Sequence, residues 1–123
     1  MWNIEYSYIE PWLDAQDEET IANIFAALEV LEREGPTLGR PLVDSVKGSR
    51  IRHLKELRPV SSGRAEVRIL FAFDPKRHAI MLYAGDKSLG KNNKAKWSHW
   101  YRNAIRAAEE LYDRHLKLLG DDA

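Results

Sequence analysis

The amino-acid sequence predicts an α+β fold: a small, mainly antiparallel sheet with an N-terminal helix and a long C-terminal helix packed against one face. Short alternating segments between residues 50 and 85 are joined by tight turns, a pattern typical of antiparallel strands. An apolar stripe with helical spacing precedes these segments and a second one follows them. The 123 residues suit a single domain, spanning 1–123, with one core.

The N-terminal third predicts one strand and one helix. Residues 2–9 alternate between apolar and polar side chains, which indicates a first strand. A helix is predicted within 14–36, because apolar residues recur there at i, i+3 and i+4. Either Asp14 or Asp17 can cap its start, and Gly35 ends it.

The rest of the chain predicts three strands and the last helix. Residues 36–50 are rich in Pro and Gly and are expected to form a connector with one short helical turn. Strands are predicted at 50–57, 65–73 and 79–85, and short turns between them require antiparallel pairing. The final helix runs from about 94 to 119, where a glycine ends it.

Charge is divided sharply along a chain whose net charge is zero. Residues 1–34 carry nine acidic residues and one basic residue, whereas 35–106 carry sixteen basic and five acidic residues. Residues 107–123 carry two basic and five acidic residues. The basic middle segment predicts a polyanionic partner. The alternative is that the acidic helix and the basic strands neutralise each other within the fold.

Several classes of chemistry are not expected. The chain has no cysteine, and its four histidines share no ligand spacing, so neither a metal site nor a cofactor is predicted. Acidic residues are sparse among the strands, which argues against a two-carboxylate or two-metal site. No signal peptide and no membrane-length apolar run are visible, so a cytoplasmic location is expected.

Four basic residues at strand margins are the first candidate site: Lys55, Arg58, Arg68 and Lys87. In an antiparallel meander, whose strands lie about 4.8 Å apart, these side chains can converge. Converged Arg and Lys side chains suit a phosphate group, since Arg offers a planar fork and Lys a point charge. The alternative is that they are solvated residues that discourage strand pairing at a sheet edge.

A second candidate region interleaves cations with aromatic rings, which is the combination that single-stranded nucleic acid requires. Its candidate substrate-binding residues are Lys91, Lys94, Lys96, Trp97 and Tyr101. The aromatic residues also fit the apolar stripe of the last helix and can serve as packing residues. His53 is a further candidate, as a proton-transfer group or as a structural histidine.

The motifs "LKELRP", "RAEVRILFAFD" and "AIMLYAGDKS", after an amphipathic N-terminal helix, resemble the RelE/ParE toxin superfamily, in particular its HigB-like branch. The resemblance spans about residues 2 to 119. It implies a toxin of a type II toxin–antitoxin module, neutralised by an antitoxin protein. RelE and HigB members are ribosome-dependent mRNA endoribonucleases, whereas ParE members inhibit DNA gyrase.

The resemblance also implies roles for individual residues. Arg58 is the arginine of "ELR", Arg68 is the arginine of the central strand, and Lys87 closes the last strand. Lys55 stands where ribonuclease members often carry a basic residue. Many relatives have two lysines where this chain has "DKS", and the tyrosine that serves the site in short-tailed members corresponds to either Trp97 or Tyr101.

The chemistry implied is metal-free RNA cleavage by a 2′-hydroxyl, in which cations stabilise the developing phosphorane charge. Arg58 and Arg68 would stabilise charge, Lys55 would be the base and Lys87 a phosphate contact. The acid would be Arg68, His53 or Lys87. The expected partners are a helix-turn-helix antitoxin and mRNA on the ribosome. A ParE-like gyrase inhibitor and a non-catalytic basic RNA-binding module are the alternatives.

Overall fold

The structure, a computed structural model, describes residues 1–61, 63, 65–90 and 94–121, without the side chains of 89–97 and 121. Its strands are β1 (Asn3–Glu5), β2 (Val43–Ser45), β3 (Lys55–Leu57), β4 (Val67–Phe73) and β5 (His78–Asp86). Its helices are α1 (Glu10–Asp14), α2 (Glu18–Glu34) and α3 (Lys94–Asp121). Short 3₁₀ turns lie at Ser7–Ile9, Gly35–Thr37 and Lys87–Gly90. No helix in these ranges is both long and apolar enough to cross a membrane.

The five strands form one sheet in the order β1-β5-β4-β3-β2. Only the β1–β5 pair is parallel, while β2–β3, β3–β4 and β4–β5 are antiparallel. The predicted α+β class and the antiparallel pairing of the three central strands are therefore confirmed. The long parallel connection from β1 back to β5 brings both halves of the chain into one sheet.

The helices cover both faces of the sheet, so the expectation that they share one face is wrong. On one face, Ile69 and Phe71 of β4 pack with the buried residues of α1 and α2. On the other face, Leu70 and Ala72 of β4 pack against Ala104 and other buried residues of α3. Alternate residues of a strand point to opposite faces, and here both sets are apolar. A strand buried on both sides leaves no polar face to signal which helix covers it.

A β-bulge adjusts the β5 register. Leu70 pairs with Tyr83 and Phe71 with Met81, so Leu82 is the extra residue on β5. Both Leu82 and Tyr83 belong to the apolar cluster under α3. Beyond the bulge the alternation is shifted by one residue, which sets the direction in which the end of β5 presents its side chains.

Three predicted boundaries differ from the structure. The strand expected at 2–9 ends at Glu5, because the following residues turn into the 3₁₀ segment and α1, whose first turn contains Pro11. The strand expected at 50–57 is confined to β3, and the connector contains the unforeseen β2. Gly120 does not end α3, which continues to Asp121.

A charged contact explains why 50–53 do not extend β3. Arg50 donates from Nη1 and Nη2 to the two carboxylate oxygens of Asp113, at 2.9 and 2.7 Å. Glu109 accepts from the hydroxyl of Ser49 at 2.8 Å and from the backbone N–H of Arg50 at 2.9 Å. These bonds draw the loop toward α3 and away from the strand line, and His53 in the turn has a φ of 62°.

The predicted N-terminal helix is confirmed as α2, and its start and end follow from particular residues. Asp17 caps the helix by accepting a 2.7 Å hydrogen bond from the backbone N–H of Thr20. Gly35 ends it with a φ of 61°, a conformation that favours glycine. Trp2 packs directly on this glycine: a Cβ added there would lie 2.3 Å from Trp2 Nε1.

A buried polar network fastens the far part of α3. Asp74, just after β4, accepts from the backbone N–H groups of Lys76 and His78. Its other oxygen lies 2.8 Å from Nε2 of His115 on α3. Nδ1 of His115 lies 3.1 Å from the hydroxyl of Tyr8. Every partner in this network is polar and satisfied, so it ties the N-terminal segment, the β4–β5 turn and α3 together.

Replacing Gly35 by alanine should lower the free energy of unfolding by more than backbone strain alone explains. A positive φ costs an alanine about 1–2 kcal/mol, and overlap with Trp2 adds to this at Gly35. Gly63 is the matched control, since its φ is 66° and no described atom lies within 4 Å of the added Cβ. Urea unfolding of Gly35→Ala and Gly63→Ala measures both losses. Equal losses would contradict the packing role assigned to Trp2.

Candidate functional site: a buried glutamate among basic residues

The candidate site is built around Glu56, which is 2% exposed on the face of β3 that α3 covers. Nε and Nη2 of Arg58 each lie 2.8 Å from its Oε1 atom. The hydroxyl of Tyr101 on α3 donates to Oε2 over 2.8 Å. Nε of Arg68 lies 3.9 Å from Oε1. We call Glu56, Arg58, Arg68, Lys87 and Tyr101 the basic cluster.

Strand register explains why these side chains meet. Glu56 is opposite Leu70, and Arg68 shares the face of Leu70 because it lies two residues away on β4. Arg68 is in turn opposite Gly85 on β5. A Cβ at Gly85 would lie 3.0 Å from the Trp100 ring, so the glycine lets α3 approach the sheet beside the cluster.

The two arginines differ in how fully they are bonded. Arg58 also donates from Nη2 to Asp44 over 3.1 Å. Burial lowers the pKa of Arg58, but its hydrogen bond with Glu56 and the charges of Glu56 and Asp44 outweigh burial and raise it. Arg68 donates from Nη1 to the carbonyl of Val67 at 2.8 Å, whereas its buried Nε has no hydrogen-bond partner among the described residues. A buried, unsatisfied donor beside Glu56 suits an incoming anionic oxygen.

Lys87 completes the positive side of the cluster. Its Nζ lies 5.6 Å from the centre of the Tyr101 ring, within cation–π range. Burial lowers the pKa of Lys87, and the positive charges of Arg68 and Arg58 lower it further. Glu56 and Glu66 act in the opposite direction without cancelling these effects. The ammonium group therefore releases its proton more readily than an exposed lysine would.

Tyr101 serves as a donor. Burial raises the pKa of its phenol strongly, and the negative charge and hydrogen bond of Glu56 raise it further. The hydroxyl therefore keeps its proton and holds one oxygen of Glu56. Since Tyr101 is the cluster residue supplied by α3, the helix must be docked for the carboxylate to be oriented.

A pocket of about 260 Å³ opens beside Glu56. Two aliphatic side chains, one aromatic ring and several polar groups line it: Ser45, Val46, Lys47, Glu56, Arg58, Tyr101 and Ile105. No group of three or more His, Asp or Glu side chains in the described parts of the chain is placed to hold a metal ion. Arg68 and Lys87 do not line this pocket but lie next to Glu56 and Tyr101, which do. Together the five residues of the basic cluster offer cations for a phosphate, a carboxylate that can accept a proton and an ammonium that can donate one.

The structure brings together three of the four basic residues predicted from strand margins. The expectation that Lys55 joins them is wrong, because Lys55 pairs with Phe71 and lies on the α2-covered face. Its Nζ donates to the carbonyl of Pro36 over 3.1 Å. His53 lies in an exposed turn, at the opposite end of β3 from Arg58.

Only one residue of the aromatic candidate region has a side chain that the structure describes. Tyr101 joins the cluster, as one of the two residues proposed for the late tyrosine of the family. Lys91 lies outside the described residues, as do the side chains of Lys94, Lys96 and Trp97, whose backbone forms the first turn of α3.

Glu56 is the residue that the sequence reasoning missed. The acids around the cluster are also more numerous than expected, since Asp44 and Glu66 lie there as well. A signal was present: Glu56 lies next to Leu57 on a strand that pairs with residues 69–71 of β4, and the centre of β4 is apolar on both faces. A charged residue facing such a strand must be buried and therefore paired.

The fold and the basic cluster define a class of small α+β protein in which a charged site lies between a sheet and its last helix. The family described as "Phage derived protein Gp49-like (DUF891)" matches residues 11–113. The chain is 52% identical over 120 residues to "Putative toxin HigB2" of Mycobacterium tuberculosis, covering 98% of this chain and 57% of that protein. It is 44% identical over 108 residues to "Putative toxin HigB3" of the same organism, covering 88% of this chain and 87% of that protein.

The chain therefore belongs to the Gp49-like family, on the HigB-like toxin branch that its motifs predict. It spans a little over half the length of the relative named HigB2 and most of the length of the relative named HigB3. No solved structure matches it.

Lys87 should titrate below the pKa of about 10.4 of an unperturbed lysine, and Arg68→Gln should raise that value. The sign follows because removing a neighbouring positive charge favours the charged form of Lys87. NMR titration of the Lys87 side-chain carbon next to the ammonium measures both values. Arg77→Gln removes an exposed arginine at the other end of β5 and should leave the Lys87 pKa unchanged. A Lys87 pKa that is insensitive to Arg68→Gln would refute the proximity described here.

Proposed function

We propose that this protein is the toxin of a type II toxin–antitoxin module, acting in the cytoplasm as a ribosome-dependent mRNA endoribonuclease that stops translation. The observation that carries the proposal is a carboxylate, two arginines and an ammonium of lowered pKa gathered at one end of the sheet. The names of the HigB relatives support the toxin role. An antitoxin protein would keep the toxin inactive during growth.

The proposed reaction is attack of a ribose 2′-oxygen on the adjacent phosphorus. The carboxylate of Glu56 accepts the 2′-hydroxyl proton, and the bond from phosphorus to the 5′-oxygen breaks as the new bond forms. Lys87 donates a proton to the leaving 5′-oxygen. The products are a 2′,3′-cyclic phosphate and a 5′-hydroxyl end, and no metal takes part in the scheme.

The two arginines stabilise the charge of the phosphorane. Arg68 has a buried N–H without a hydrogen-bond partner among the described residues, so it can bond a phosphate oxygen when its 3.9 Å ion pair with Glu56 loosens. Arg58 holds Glu56 in place and shares its positive charge with the phosphate. Removing one such electrostatic stabiliser typically lowers the rate about 10²–10³-fold.

Glu56 replaces Lys55 as the proposed base because of position. Lys55 lies on the other face of the sheet, where it donates to the carbonyl of Pro36. Glu56 faces the pocket and both arginines. Lys87, which the sequence reasoning cast as a phosphate contact and possible acid, becomes the acid because its pKa is lowered.

A non-catalytic function is the second candidate: a ParE-like gyrase inhibitor or a basic RNA-binding module. The observation that favours it is the number of carboxylates at the cluster. Asp44 and Glu56 both bond Arg58, and the negative charge of Glu66 acts on Lys87. A cluster already neutralised in this way binds a phosphate less tightly than free cations would.

Induction of the protein alone should stop translation and shorten mRNAs within translated regions. Mapping the 5′ ends of cellular mRNAs after induction measures this, with the cut ends carrying 5′-hydroxyl groups. The matched control is induction of the Glu56→Gln variant. Growth arrest with intact transcripts and relaxed plasmid DNA would instead favour the hypothesis that the protein inhibits DNA gyrase.

Glu56→Gln should reduce mRNA cleavage by about 10²–10⁴-fold, the usual contribution of a positioned acid or base. The amide keeps the size of the side chain and can still accept from Tyr101, so the variant should fold, with a lower free energy of unfolding because Arg58 and Arg68 lose their shared counter-charge. Asp44→Asn removes the other carboxylate on Arg58 and should reduce cleavage far less. Cleavage of a translated reporter mRNA is the measurement, with circular dichroism as the control for folding. Equal losses in the two variants would show that Glu56 acts only as a counter-charge.

A further inference from the structure

One surface on the face of the sheet opposite to the basic cluster is apolar, partly exposed and unexplained by the proposed chemistry. It is a groove of about 180 Å³ between α2 and the segments around β2 and β3. Its walls are Asn23, Ala26, Ala27 and Val30 of α2, together with Leu42 and Val60. We call it the α2 groove. The four α2 residues follow i, i+3, i+4 and i+7 spacing, so the groove runs for about 10 Å along one line of the helix.

The exposure of this surface is unusual for its composition. Val60 is 76% exposed, and Ala26 is exposed on the outer side of α2. Asn23, Val30 and Leu42 are partly exposed, whereas Ala27 forms the buried floor of the groove. Small side chains such as alanine let a second helix approach closely. An apolar groove with an aliphatic residue standing at its rim suits burial under a partner helix.

The charge around the groove defines the partner. Residues 10–34 carry eight acidic residues and one arginine. Glu19 and Glu34 of α2 are exposed and continue the line of the groove residues, one turn before Asn23 and one turn after Val30. A segment that buries aliphatic side chains in the α2 groove therefore meets a carboxylate at each end of the groove. Lys or Arg beside its apolar residues would complement them.

The groove and the basic cluster lie on opposite faces of the sheet. α2 packs on the face formed by Ile69 and Phe71, whereas Glu56 and Arg68 lie on the face that α3 covers. No residue of the basic cluster lines the groove, so a helix that stays within the groove contacts none of the cluster side chains. The bound antitoxin would add bulk on the α2 side and so prevent the toxin from entering the ribosome.

We propose that the α2 groove is the docking site of the antitoxin, which inserts aliphatic side chains of an amphipathic helix flanked by Lys or Arg. This inference rests on the proposed toxin function. A groove of about 180 Å³ has room for one or two such side chains, since a cavity of about 150 Å³ accepts benzene. Neutralisation then works without filling the basic cluster.

The test uses two charge substitutions in the groove and one outside it. Ala26→Glu and Val60→Glu place a carboxylate on exposed positions, so neither opens a cavity. Leu118→Glu is the matched control, because Leu118 is an apolar residue 58% exposed near the end of α3. Each toxin variant is expressed with and without the product of the gene beside its own. Growth and the dissociation constant of the purified pair are measured.

Both groove variants should remain toxic alone but escape neutralisation, with the dissociation constant raised about 30-fold or more, as for loss of an interface hot spot. Leu118→Glu should be toxic and neutralised like the wild type. Association should slow as salt is added, because the flanking charges are exposed. The dissociation constant is measured on purified proteins, so it decides the matter even for a variant that has lost toxicity.

Two results would overturn the inference, and they are distinguishable. If both groove variants bind the neighbouring gene product as tightly as the wild type, the α2 groove is not the docking site, and the proposed function stands. If expression of the wild-type protein alone leaves growth unaffected, the toxin–antitoxin proposal fails and the docking inference fails with it. The same holds if the neighbouring gene product leaves the toxicity intact.

Discussion

The pairing of Glu56 with Arg58 and Arg68 is the constraint on which the site depends. A lone carboxylate on a strand under α3 would be costly to bury, and so would either arginine without a counter-charge. As ion pairs, the three charged side chains can be buried between the sheet and α3. The hydroxyl of Tyr101 donates a hydrogen bond to the second oxygen of Glu56, so the position of α3 determines the orientation of the carboxylate.

The sheet separates two kinds of surface. Because the centre of β4 is apolar on both faces, α2 and α3 can each cover one of them, and charged residues such as Arg68 near the ends of strands distinguish the two faces. The α3 face ends in the basic cluster, whereas the α2 face carries acidic residues and the α2 groove. The acidic residues of α2 therefore lie on one side of the sheet and Arg58, Arg68 and Lys87 on the other, although Lys55 of the basic segment lies on the α2 side.

Periodicity predicted the helices and the three central strands, because those elements bury regular apolar stripes. It failed at β2, because a strand of three residues is too short to show an alternating pattern. It also failed at residues 50–53, where hydrogen bonds of Arg50 with Asp113 and Glu109 hold the loop against α3. At the site, Arg58, Arg68 and Lys87 could be predicted from strand margins. Lys55 could not be placed, since a shift of one residue exchanges the faces of a strand.

The contacts that complete the molecule join distant parts of the chain. Glu56 and Tyr101 are 45 positions apart, and Tyr8 and His115 are 107 positions apart. A chain is made from its N-terminus at about 5–20 residues per second, so the strands leave the ribosome before the helix that orients the carboxylate. An unfinished or C-terminally truncated chain lacks the Tyr101 contact. The protein acquires an ordered site only after Tyr101 has been made and α3 has docked on the sheet.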